Sequence, residues 1–216
     1  NTIDELQPIA FFGDDPNALQ ASLKSGIGSL KEYVEHARAN PGKLKNGNDA
    51  PGGSSYIAVA RYEKQLGIKV TRVPYGGFAP TVTALMAGEV DSATVPIPDT
   101  IEQHKAGKLK ILGVSATERH FLAPDVPTFR EQGFDVVVGS WRSIAGPKGI
   151  PEDRLRILEA GLIAAMKDPD FQAKAKKAGF IVQPGDRKVT LDRWKADDAA
   201  LYPILLEAGL VKARQK

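Results

Sequence analysis

The segment Asn46-Gly47-Asn48-Asp49-Ala50-Pro51-Gly52-Gly53-Ser54 holds the densest binding chemistry in the chain. It follows a short strand-like stretch near Leu44 and opens onto a helical pattern, so it reads as a strand-to-helix loop. The first turn of a helix leaves backbone N–H groups unpaired and carries roughly half a positive charge. Glycines let a ligand approach that backbone closely, and the geometry favours a carboxylate or phosphate. An ordinary turn capped by Ser54 or Ser55 accounts for the same residues. A second cluster, Tyr75-Gly76-Gly77, again joins a strand to a helix. Two such loops at the ends of parallel strands lie at one sheet edge, where α/β folds bind ligands.

Catalytic constellations are thin. No Gly-Lys-Ser/Thr follows the first loop and no G-x-G-x-x-G occurs, so neither nucleotide motif is present. Gly139-Ser140-Trp141 lacks the second glycine of a nucleophile elbow. His36, His104 and His120 have no partner at metal-ligand spacing, and the absence of Cys removes thiolate sites. Asp14-Asp15 and Asp197-Asp198 read as solvated pairs, and Trp141 and Trp194 as packing or groove residues. No catalytic residue, metal or cofactor is therefore expected, and the protein is read as not an enzyme. The net charge of +3 lies wholly within residues 151–216, where lysines alternate with acidic and apolar positions. A nucleic-acid footprint would be a dense basic stripe, so no nucleic-acid partner is expected. With 42% hydrophobic and 25% charged residues the composition is that of a globular domain. No apolar run approaches the roughly 18 residues of a membrane helix.

The elements that must position these loops alternate between strand and helix. Ser29-x-x-Glu32 is a capping-box pattern opening a helix with Leu30, Tyr33, Val34 and Ala37 on one face. A helix after Ser54 is expected to turn Tyr56, Ile57, Ala60 and Leu66 inward. Strands are expected over Ile68–Val73, Val90–Val95, Leu109–Val114 and the Val-rich Phe134–Trp141. Beyond Pro151, a helix with Leu155, Leu158, Leu162 and Ala165, another opened by Asp168-Pro169, a short strand Ile181–Gln183 and a helix Thr190–Ala208 complete an α/β series.

Several segments in order carry a family resemblance: Ala39-Asn40-Pro41-Gly42-Lys43-Leu44, Val73-Pro74-Tyr75-x-Gly77-x-Ala79-Pro80, Ala87-Gly88-Glu89-Val90-Asp91, Ala106-Gly107-Lys108-Leu109, Pro124-Asp125-Val126-Pro127-Thr128, and Ser140-Trp141 with Gly146-Pro147. Together they resemble the extracytoplasmic solute receptors of tripartite tricarboxylate transporters, the TctC-like or Bug receptors. The resemblance implies a type II periplasmic binding protein fold, with two α/β lobes, a hinge of crossing strands and a ligand in the cleft. By that analogy 16–135 form the second lobe, while 1–15 and 136–216 belong to the first. Family chains are longer and begin with a secretion signal and a strand–loop–helix bearing a Pro-Gly-Gly loop, so the first lobe is expected to be N-terminally truncated in this chain.

The implied function is capture of a small organic carboxylate in the periplasm by a monomer, with delivery to membrane permease subunits. The backbone at Gly52, Gly53 and Ser54 would hold a carboxylate, and the Asn48 amide would orient it. Tyr75, Gly76 and Gly77 would line one wall and Pro96 another, with Trp141 packing on an apolar ligand stem or within the hinge. Departures from the family pattern at Asn48, Ala50, Gly53, Tyr56 and Thr94–Pro96 leave the identity of the acid open. A sensory protein of the same fold is the alternative, and an α/β enzyme acting on a carboxylate a weaker one.

Overall fold

The computed structural model describes residues 5–212. They form two compact units, one comprising the residues up to Asp15 together with those from Trp141 onward, the other Pro16–Ser140. The chain passes between them within strands β1 (Leu6–Ser22) and β6 (Gly139–Pro147), which pair with each other.

The unit Pro16–Ser140 is built on β2 (Lys45–Asn48), β3 (Thr71–Pro74), β4 (Ser92–Pro96), β5 (Leu109–Val114) and the second half of β1, in the order β3-β2-β4-β1-β5. β2 runs parallel to β3 and β4, while β1 is antiparallel to both β4 and β5. It follows that β2 to β5 all point one way, and that their carboxyl ends share an edge with the Asn17 end of β1. Asn17 pairs with Pro96, and Ala18 with both Val95 and Val114.

Because strand side chains alternate between faces, β1 feeds two cores. Leu19 and Ala21 join Tyr33 and Val34 of helix α1 (Leu30–Ala39) and Val59 and Tyr62 of helix α2 (Ser54–Leu66) on one face. Ala18, Ala93 and Val95 join Val82 and Leu85 of helix α3 (Phe78–Ala87) on the other. Short helix α4 (Ile101–Lys105) adds Ile101 to that second core. Helix α1 is capped much as its sequence predicts. Ser29 Oγ accepts from Glu32 N at 3.2 Å, and the Glu32 carboxylate reaches back one residue further than usual, to Gly28 N at 2.7 Å.

Three expectations for this unit are corrected. Asn46, Gly47 and Asn48 belong to β2 rather than to the loop, which is only Asp49–Gly53. Helix α2 buries Ser55, Val59, Tyr62 and Leu66, with Ala58 and Ala60, and leaves Tyr56 and Ile57 half-buried. The buried row recurs every three to four residues, as one face of a helix must. The Val-rich strand is displaced to Gly139–Pro147. Val136 and Val138 are buried in the first core without joining a strand, and Val138 N donates to Ser115 O at 2.8 Å.

Two tyrosines lie in this first core. Tyr33 OH pairs with Ser92 Oγ at 3.1 Å and Tyr62 OH with Ser115 Oγ at 2.8 Å. Burial pushes both phenols up, Tyr33 to about 12, against partial relief from their hydroxyl and amide partners.

The other unit contains helices α5 (Glu152–Lys167), α6 (Pro169–Lys177) and α7 (Arg187–Glu207). Asp168 caps α6, accepting from Phe171 N at 3.0 Å with Pro169 in the first turn, and Asp186 caps α7 through Val189 N at 2.8 Å. Helix α5 departs from the expected stripe: Leu155 and Met166 are buried, while Leu158 and Ala165 are exposed. Ile181–Gln183 forms no strand, but the segment docks on β1 through Gln183 N to Phe12 O at 2.8 Å and a Phe11–Gly185 bridge. The aspartates expected to be solvated are instead engaged. Asp15 pairs with Arg142, Asp14 with Arg193 at 2.8 Å, and Asp197 accepts from both Arg193 and the Trp141 indole. Burial pushes the Asp14 carboxyl above its ordinary value, opposed by Arg193.

Two predictions follow from this packing. A methyl group at Gly13 would collide with the Ile181 carbonyl, a backbone atom that cannot swing aside. Gly13→Ala is therefore expected to destabilise by about 1–3 kcal/mol, seen as a lowered urea midpoint. Tyr33 has a folded pKa of about 12 against 10.0 for the free phenol. The unfolded chain loses its proton first, so stability is intact below pH 10 and falls between pH 10 and about 12. Urea midpoints across that range should show the fall, and Tyr33→Phe should make it shallower, leaving the share of Tyr62.

Candidate functional site

The carboxyl edge of the Pro16–Ser140 sheet carries a row of polar side chains on the face covered by α1 and α2. Asn46 Nδ2 donates to Ser92 Oγ at 3.0 Å, and Thr94 Oγ1 donates to Asn46 Oδ1 at 3.3 Å. Asn48, two residues along β2, therefore shares this face, and its Nδ2 donates to the Asn46 carbonyl at 2.9 Å. Across the edge, the Asn17 backbone is fully engaged: its N–H donates to Val138 O, and its carbonyl accepts from Ser115 N at 2.9 Å and Ser115 Oγ at 2.7 Å. Its side-chain amide is not. Asn17 (1% exposed), Asn48 (0%) and Ser55 (0%) are buried, yet both polar atoms of the Asn17 amide, the Asn48 Oδ1 and the Ser55 Oγ pair with no protein group. Each buried unpaired group costs about 1–3 kcal/mol, which a hydrogen-bonding partner at this edge would offset.

Helix α2 begins over this edge, packed on β2, β3 and β4. The expected anion loop is arranged differently from its prediction. The Asp49 carboxylate turns back onto the helix and accepts from Tyr56 N at 2.8 Å and Ser55 N at 3.3 Å. Gly53 N donates to Ala50 O at 2.9 Å, which leaves the N–H groups of Gly52 and Ser54 without a protein acceptor among the described residues. A side chain at Gly53 would run into the Asp49 carboxylate, which explains the glycine there. Arg72 stands over the Tyr56 ring, 4.8 Å from its centroid, and is ion-paired to Glu63.

The remaining predicted residues fall in several places. Tyr75 N donates to Asn48 O at 2.8 Å, but the ring packs against the α3 core beside Gly47, on the opposite face of the sheet from the Asn48 amide. Burial, with the Glu89 charge, raises the Tyr75 phenol above its ordinary value. Gly76 is exposed. Gly77 has φ 139°, a positive-φ conformation suited to glycine, and caps α3, its carbonyl accepting from Thr81 Oγ1 at 2.8 Å. Pro96 ends β4 opposite Asn17. Trp141 belongs to the other unit, where its indole is committed to Asp197 and its ring lies 6.4 Å from Phe11. Asn48, Gly52, Ser54 and Pro96 are thus placed at one edge, together with Asn17, Ser55 and Asp49, which sequence reasoning did not select. An Asn immediately after Pro16 carries no motif. Only the antiparallel insertion of β1 brings it opposite Pro96.

Among the described residues there is no group of three or more His, Asp or Glu side chains able to hold a metal ion. His104 Nδ1 accepts from Ile111 N at 3.3 Å, and buried His120 accepts from Leu122 N at 3.2 Å and stacks on Phe121. Both are structural. No helix among the described residues is long and apolar enough to cross a membrane.

Comparison with known proteins places this architecture. Protein BugT of Bordetella pertussis is 26% identical over 182 residues, covering 84% of this chain and 54% of BugT. The periplasmic binding protein BugD superposes with a TM-score of 0.78 at 27% identity, covering 96% of this chain and 71% of BugD. MatC of Rhodopseudomonas palustris, solved with bound malate, superposes with a TM-score of 0.69 at 28% identity over 81% of this chain and 60% of MatC. The chain spans between about half and three-fifths of the length of the first curated relatives it matches. Its α/β fold is that of the periplasmic binding proteins, and the family described as the tripartite tricarboxylate transporter family receptor matches residues 1–205. The chain belongs to that receptor family.

Proposed function

We propose that this protein is a periplasmic solute receptor. It captures a small organic carboxylate by binding without turnover and delivers it to the permease of a tripartite tricarboxylate-type transporter. The observation that carries this reading is the set of unpaired buried groups at the sheet edge, Asn17, Asn48 and Ser55, together with the open N–H groups of Gly52 and Ser54 in the adjoining loop and first helical turn. Such a set recognises a small polar molecule by hydrogen bonding and offers no nucleophile–base pair with which to transform it. Family membership supports the class of partner, and malate in MatC supports the class of ligand.

The expected result of calorimetric titration with a panel of C4–C6 acids is saturable binding of at least one of them, with the acid recovered chemically unchanged. No binding across the panel, or conversion of the acid, overturns the reading. Asn48→Ala should weaken the bound acid about tenfold or more, equivalent to about 1.4 kcal/mol, while far-UV circular dichroism stays unchanged. Unaltered affinity removes Asn48 from the site.

A further inference from the structure

The sheet-edge groups have a polarity of their own. Asn48 donates through Nδ2 to the Asn46 carbonyl, a group that can only accept, so the orientation of the amide is fixed and its unpaired atom is the oxygen. That oxygen is a buried acceptor with nothing to accept. Next to it in the chain, the Asp49 carboxylate already occupies the amino end of α2, taking the N–H groups of Ser55 and Tyr56. The positive end of the helix, which would have attracted a ligand anion, is thereby matched by a full negative charge from the protein itself. The nearby cation offers no counter-charge either, since Arg72 is ion-paired to Glu63 and lies over the Tyr56 ring.

We infer that this edge binds the end of the ligand that bears an N–H or O–H donor, such as an amide, hydroxyl or ammonium group, and discriminates against a bare second carboxylate. The inference rests on the carboxylate-receptor reading above and narrows it from acids in general to acids carrying a donor at one end. Asn48 Oδ1 accepts from that donor. The Asn17 amide and Ser55 hydroxyl, each able to donate or accept, satisfy the rest of the group. Asp49 acts as the selector, through its charge and not through contact.

The test uses pairs that differ only in exchanging a carboxylate oxygen for an amide nitrogen: succinate and succinamate, glutarate and glutaramate, adipate and adipamate. Calorimetric titration of the protein is expected to show the monoamide of the best-fitting length binding at least tenfold more tightly than its diacid. Asp49→Asn keeps an oxygen to cap α2 and removes the charge, and it should narrow that preference to about threefold or less. A diacid that binds as tightly as its monoamide to the unaltered protein overturns the inference and leaves the receptor reading standing. A preference unchanged in Asp49→Asn overturns the role of Asp49 as selector. Binding by no member of any pair overturns the receptor reading and the inference together. The comparison in the unaltered protein stands even where the variant fails to fold.

Discussion

Burying an amide among aliphatic side chains is unfavourable unless each of its polar atoms finds a partner, and the sheet of the Pro16–Ser140 unit is organised around that constraint. Deep in the sheet most of these atoms are paired from within, the Gln20 Oε1 being the exception. Tyr33, Ser92, Asn46 and Thr94 form a continuous chain of hydrogen bonds under the first core. Toward the carboxyl edge the chain runs out, and Asn48, Asn17 and Ser55 keep unpaired atoms. The same polar face is therefore internally bonded at one end and keeps unpaired groups at the other, where we propose that the ligand binds.

What makes the edge possible is the single reversed strand. With β1 antiparallel between β4 and β5, its Asn17 end meets the carboxyl ends of its neighbours. The Asn17 backbone is pinned there by Ser115 and Val138, and its buried side-chain amide pairs with no protein group. Above it, the short loop Asp49–Gly53 brings the first turn of α2 down onto the strand ends. Gly53 is needed to leave room for the Asp49 carboxylate. A loop that by composition reads as an anion cradle thus carries an anion of its own, the Asp49 carboxylate on the Ser55 and Tyr56 N–H groups.

The other unit follows a different logic. Its order comes from charge and aromatic contacts along β1 and β6: Asp14 with Arg193, Asp15 with Arg142, Trp141 with Asp197, and Arg142 over the Phe180 ring. Aspartates adjacent in sequence look like a solvated pair only while their partners are unknown, and those of Asp14 and Asp15 lie more than a hundred residues away. The same holds for Trp141, whose indole N–H goes to Asp197 and whose ring lies beside Phe11.

Local physics made much of this protein readable without coordinates. The Ser29 and Asp168 caps, the apolar face of Leu30, Tyr33, Val34 and Ala37, and the doubly covered strand at Leu109–Val114 depend on residues within a turn or two of one another, and each is found in place. The ordered motifs from Ala39 to Pro147 were enough to identify the receptor family. Where each side chain points was decided by tertiary structure. Whether Asn46–Asn48 continue a strand, which way Tyr75 faces, whether Asp49 meets water or the start of α2, and that Asn17 stands opposite Pro96 all depend on pairings between distant segments. A hydrogen bond is directional and reaches only about 3 Å. Composition can therefore announce that a loop is rich in donors, but only the assembled sheet determines which of them remain unpaired.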